Sequence, residues 1–153
     1  MDALALREPF SALSHAAGLA LAVPGAIVLW RRGIDPARRR SALVFGLCLA
    51  GCYAASAHYH AAGGTPDRIA LHRRLDHVGI HLLIAGTYTP IAVILLDGRW
   101  RRLTLPLAWL GAASGSVVLL LHGVLAPWLS TTIYLALGWG AYFVYREIGR
   151  RHP

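Results

Sequence analysis

The sequence is short of charge: 14% of its 153 residues are charged, 56% are hydrophobic, and the mean hydropathy is +0.51. A soluble domain carries closer to a quarter of charged residues and covers its surface with them, so an ordinary soluble fold is excluded. Lysine is missing altogether. All fifteen basic residues are Arg, set in short segments between apolar runs, and they dominate a net charge of +8. That balance would suggest nucleic acid in a soluble chain, but no basic face with interleaved aromatics is present. Arg beside apolar runs is instead the signature of membrane topology and of contact with lipid head groups. Cysteine is nearly absent, and Cys48 and Cys52, four apart in one apolar run, share one face of a helix. This excludes a disulfide framework and identifies them as small residues of a packed helix face. A CxxxC pair without nearby partners is also a poor metal site. There is no internal repeat, no low-complexity tract and no stretch that would form a soluble domain. No removable leader is expected, because Met1 to Pro9 carries Asp2 and Glu8 against a single Arg, and the apolar run that follows is long enough to span.

What is present is a series of apolar stretches of about the twenty residues needed to cross a hydrocarbon core. They predict an all-α, polytopic transmembrane bundle of about five spans in one membrane domain, with spans near 10–30, 41–60, 76–96, 103–121 and 125–145. The second span is rich in small residues (Gly46, Ala50, Gly51, Ala54, Ala55, Ala57), which permit close helix approach and mark it as buried. Ala61 to Leu75, with Gly63-Gly64 and Pro66, reads as a connector. The short link from His122 to Ala126 predicts that the fourth and fifth spans are antiparallel neighbours. Arg31, Arg32, Arg38, Arg39, Arg40, Arg99, Arg101, Arg102, Arg146, Arg150 and Arg151 fall on one side, eleven in all, against four (Arg7, Arg68, Arg73, Arg74) on the other. By the positive-inside rule this count favours an external N-terminus.

Ionisable residues within spans are costly and mark functional sites. They fall in three groups. Ser11 and His15 share a face at the start of the first span. Cys48, Cys52, Ser56 and His60 form a polar stripe along the second, with His58 turned about 200° from His60. Asp76, His77 and His81 open the third span; His77 and His81 could chelate a metal from one helix face, and Asp76 could equally serve as an N-cap.

These residues carry a resemblance. Glu8-Pro9 followed by Ser14-His15, then Ser56-Ala57-His58-Tyr59-His60, then Asp76-His77 followed by Leu83-Ile84-Ala85-Gly86-Thr87-Tyr88-Thr89-Pro90, resemble the hemolysin III group and its relatives, the progestin and adipoQ receptors. Tyr134 to Trp139 is similar to the group's fifth span. The resemblance implies a multi-pass protein of the cell membrane with a bound zinc ion and a ceramidase-like hydrolase activity on a lipid-like amide. It makes His60 a zinc ligand and gives Ser56 and Asp76 catalytic places beside the zinc-bound water, whose pKa a zinc ion lowers toward neutrality. It also implies seven helices, two further ligands from a HisxxxHis pair on the seventh, and a cytoplasmic N-terminus, which is preferred here over the Arg count. This chain reaches Pro153 just after the fifth span, so a shortened member with an incomplete ligand set is expected. His15, His77 and His81 are the weaker alternative ligands, and His152 is a poor one. Ser11 stands where the family usually has Asn, and His81 where it usually has an aromatic residue. A non-enzymatic reading, a cytolytic pore former or a sensor, stays open beside the hydrolase, with the lipid bilayer as partner in both.

Overall fold

A computed structural model describes residues 6–124 and 126–151. The chain forms five helices in the order α1 (Pro9–Arg32), α2 (Pro36–Ala61), α3 (Pro66–Leu95), α4 (Gly98–His122) and α5 (Pro127–Arg151), and no strand occurs among the described residues. Leu125, where the fifth span was expected to begin, and His152 lie outside them.

Proline sets the helix starts. Pro9, Pro36 and Pro66 each occupy the first turn, where a missing N–H costs nothing and the fixed φ is already helical. Two of these starts are also capped by a side chain. The Arg38 N–H donates to the Asp35 carboxylate at 2.9 Å, and the Arg68 N–H donates to the Thr65 hydroxyl at 3.5 Å. The Thr65-Pro66-Asp67 sequence therefore starts α3 ten residues ahead of the third apolar stretch, and most of the supposed connector is helix. Asp76 is not an N-cap. It lies almost three turns inside α3, and Thr65 does the capping.

Helices α1, α2 and α4 outrun their apolar stretches at both ends, α3 at its start and α5 at its end. Four of them, α1 to α4, are long and apolar enough to cross a membrane. α5 has the length, at 25 residues, but takes much of its apolar surface from Trp128, Tyr134, Trp139, Tyr142 and Tyr145, whose polar tips lower its hydropathy.

Helix α3 is the hub. It packs against α2, α4 and α5, while α1 covers the far side of α2. The α2–α3 contact depends on small residues. A Cβ on Gly79 would lie 3.0 Å from the Cys52 Cα, and one on Gly86 would lie 2.7 Å from the Cys48 Cβ, so both glycines are required by the close approach of the two backbones. Cys48 and Cys52 are free thiols at this packed face, as their spacing predicts. Across α3–α4, the Trp109 indole donates to the Thr89 hydroxyl at 3.1 Å, and that hydroxyl donates to the Ala85 carbonyl at 2.9 Å. Ala92, Leu96 and Val144 form a small apolar core where α5 meets α3.

The expectation that α4 and α5 pack as antiparallel neighbours is not met among the described residues. Both helices lean on α3 and their backbones make no close approach to each other. The link ends α4 at Gly123, which has φ +86° and donates its N–H to the Leu119 carbonyl at 2.9 Å. A left-handed glycine here ends the helix and directs the chain away from it.

Candidate functional site

The end of the bundle where α1 starts, α2 ends and α3 starts gathers most of the candidate residues. Just before α1 the chain lies along the last turn of α2. The Arg7 and Glu8 N–H groups donate to the Ala61 and His60 carbonyls at 3.4 and 3.0 Å, so the final carbonyls of α2 are satisfied from outside the helix. This backbone clasp brings the Glu8 carboxylate to His60, with Oε2 and Nδ1 2.5 Å apart. Arg7 closes the group. Its guanidinium donates to the Tyr59 carbonyl at 2.6 Å, lies 4.3 Å over the Tyr59 ring and pairs with the other Glu8 oxygen at 3.2 Å.

Holding Nδ1 by a carboxylate fixes both the tautomer and the ring orientation of an imidazole and leaves Nε2 as its free donor atom, the usual support of a metal-bound or base histidine. His15 is brought to the same place. Its ring centroid is 5.2 Å from that of His60, edge to face, and its Nδ1 is shielded from solvent without a hydrogen-bond partner.

Ser56 and Asp76 stand one turn deeper. The antiparallel register of α2 and α3 is fixed by the Cys52–Gly79 and Cys48–Gly86 contacts, and it sets Asp76 at the level of Ser56. Both residues are buried, at 4% and 9% exposure, in a region where an ionisable side chain is expensive. The Asp76 carboxylate is within electrostatic reach of Cys52 on α2 and Tyr134 on α5, so it faces the interior between helices. Its nearest basic partner is His77, at 3.9 Å, and His77 is itself anchored through Nδ1 to the Arg73 carbonyl at 3.0 Å.

His81 belongs elsewhere. It is buried at 5% exposure beneath α4, with Nδ1 3.4 Å from the Ser116 hydroxyl, its ring against Gly115 and 5.7 Å from Tyr134. It borders a cavity of about 340 Å³ between α3, α4 and α5, lined also by Ser114, Val118, Ser130 and Ile133. His77 and His81 do share a strip of α3, but they do not join His60.

A catalytic zinc takes three protein ligands. Among the described residues no group of three or more His, Cys, Asp or Glu side chains is placed to hold a metal. The described residues thus offer an oriented imidazole and a buried carboxylate rather than a whole ligand set. Spacing alone did not mark Glu8 or Arg7 as site residues. The one signal was the Glu8-Pro9 pair, because a proline at the first helical position fixes how the preceding carboxylate leaves the helix.

The haemolysin-III related family matches residues 4–151. The chain is 30% identical over 138 residues to the hemolysin-3 homolog of Bacillus subtilis (strain 168), covering 86% of this chain and 63% of that protein. It is likewise 30% identical over 135 residues to hemolysin-3 of Bacillus cereus, covering 86% of this chain and 61% of that one. It therefore spans less than two thirds of the length of these relatives. No solved structure matches it. With a match over nearly the whole chain and four helices able to span a bilayer, this multi-pass membrane protein belongs to the haemolysin-III related family.

Proposed function

We propose that this end of the bundle is the chain's part of a hydrolase-type site in which His60 donates one ligand to a zinc ion and Asp76 and Ser56 handle the water that attacks a lipid-like amide. The Glu8–His60 pair is the observation that carries the reading, since an imidazole held through Nδ1 by a carboxylate presents Nε2 in a fixed direction. The buried Asp76 at the level of Ser56 supports it as well, because a membrane protein tolerates such a carboxylate chiefly where it does chemistry. The remaining ligands must come from outside the described residues. Zinc would supply a water acidic enough to react near neutral pH, and this chain's own residues would position that water and take its proton.

The names of the relatives, both hemolysins, favour a second reading, membrane lysis without catalysis. One experiment separates the two. The full protein is reconstituted in vesicles, and zinc content, hydrolysis of a long-chain N-acyl amide and release of a trapped dye are measured together for the parent, His60→Ala and Asp76→Ala. Amide turnover that needs zinc and both residues is the expected result. Dye release that is indifferent to zinc and to both substitutions, with no turnover, would replace hydrolysis by lysis.

A further inference from the structure

The second-span motif contains a histidine that the site above does not use. His58 lies on the α2 face turned away from His60, and α3 brings His72 to it, with ring centroids 4.4 Å apart and planes at 65°. The pair bridges two helices through residues 14 apart in the chain. His58 is exposed while His72 is half-buried, and the His72 Nδ1 is shielded from solvent and has no hydrogen-bond partner. A buried polar nitrogen left without a partner is unfavourable, and burial of this kind is unusual unless something satisfies it.

We infer that His58 and His72 form a binding site for a borderline divalent transition-metal ion such as Zn²⁺, Ni²⁺ or Cu²⁺, one that clasps α2 to α3 and is separate from His60. Two imidazoles bound at ~2.0–2.1 Å to one tetrahedral ion have ring centroids about 5 Å apart. The observed pair is thus within a side-chain adjustment of that geometry. Imidazole nitrogens select these ions over Mg²⁺ and Ca²⁺, which take oxygen ligands. The exposed His58 side gives the ion a path from water and leaves room for water to complete its coordination. Asp76, four residues beyond His72 and one turn further along α3, adds a negative charge on the same strip of helix.

The test uses the full chain in detergent without a polyhistidine tag, and it is run in a His15→Ala/His60→Ala background so that the outcome does not depend on the proposed hydrolase site. Ni²⁺ is titrated calorimetrically, with Mg²⁺ as the control. One Ni²⁺ site is expected, weakened at least tenfold by His58→Gln and equally by His72→Gln, with no response to Mg²⁺. The melting temperatures of the metal-free Gln variants should match that of their background. Should either variant fail to fold, the Cu²⁺ electron paramagnetic resonance spectrum of the background protein gives a second readout, which should show hyperfine splitting from two nitrogens. Ni²⁺ affinity unchanged by either substitution, or a Cu²⁺ spectrum with fewer than two coordinated nitrogens, would overturn the site.

Discussion

The two ends of the helix bundle use their charges differently. At the end carrying eleven of the fifteen Arg residues, several charged contacts are local. Arg38 pairs with Asp35 three residues away at 3.2 Å, and Arg39 donates to the Gly33 carbonyl at 2.9 Å. Arg39 also sits 5.9 Å over Trp30, as Arg146 sits 6.0 Å over Tyr142. At the Arg-poor end several contacts also join distant parts of the chain. Glu8 reaches His60 and Arg7 reaches Tyr59 across 52 residues, and Arg74 donates to the Leu120 carbonyl 46 residues away at 3.1 Å. Local charge contacts fix a turn and leave the Arg heads available to lipid phosphates. Long-range ones fix the relative positions of helices, which a site assembled from several helices requires. The same residue types thus serve topology at one end and site construction at the other.

The largest break in this comparison should come from removing one carboxylate at each end. Glu8→Ala frees the His60 ring, and the loss of a histidine-orienting carboxylate is expected to lower zinc affinity, and any zinc-dependent turnover, by about 10- to 100-fold. Asp35→Ala removes a helix cap and an exposed ion pair with Arg38, and should cost about 1 kcal/mol of stability with zinc affinity unchanged. Equal zinc affinity in the two variants would show that the long-range pair is merely structural.

A smaller contrast lies in the two arginines. Arg7→Ala loses a charge-assisted hydrogen bond and a cation–π contact at 4.3 Å, and should cost ~1–2 kcal/mol of stability. Arg39→Ala at the exposed end should cost less than ~0.5 kcal/mol. Thermal unfolding in one detergent checks both, and an Arg39→Ala loss as large as that of Arg7→Ala would erase the distinction between the ends.

How much of this could be seen in the sequence depends on the range of the interaction. Helix number and class follow from the lengths of the apolar runs, and the packing role of Cys48 and Cys52 follows from their spacing of four in a stretch rich in glycine and alanine. The early start of α3 was also legible in principle, since Thr65-Pro66-Asp67 is a cap, a first-turn proline and a first-turn acid. The run of Arg and His that follows is polar, however, and hydropathy hid the helix within it. The separation of α4 from α5 was not legible, because a short link between two apolar stretches does not specify which neighbour each helix packs against. The Glu8–His60 and His58–His72 pairs were beyond spacing arguments too. They arise from the register between helices, which periodicity within one helix does not specify. The stretch from Asp76 to Pro90, the most specific part of the family resemblance, serves packing in its second half: Gly86 admits Cys48, Tyr88 packs on the Ala92–Leu96–Val144 core and Thr89 holds Trp109.

The smallest change in stability is expected at Asp76, and it bears most directly on what the Arg-poor end does. Thr65 caps α3, so Asp76→Asn sacrifices no cap. Asn has nearly the same shape, which leaves packing intact at a position only 9% exposed. It also removes an ionisable group from a span, where charge is costly. Stability should therefore stay within about 0.5 kcal/mol of the parent, the usual range for a substitution that disturbs no packing, or rise. Function should respond in the opposite direction. An amide cannot take a proton from attacking water, and loss of a general base lowers rates by about 10²–10⁴-fold. If Asp76 serves only structure, Asp76→Asn and Asp76→Ala will differ in melting temperature while both keep the parent's turnover. If it acts as the base, the two will share the same loss of turnover while Asp76→Asn melts with the parent. Full turnover in Asp76→Asn would remove the catalytic role of this carboxylate and leave the Glu8–His60 pair as the sole support for chemistry at this end of the bundle.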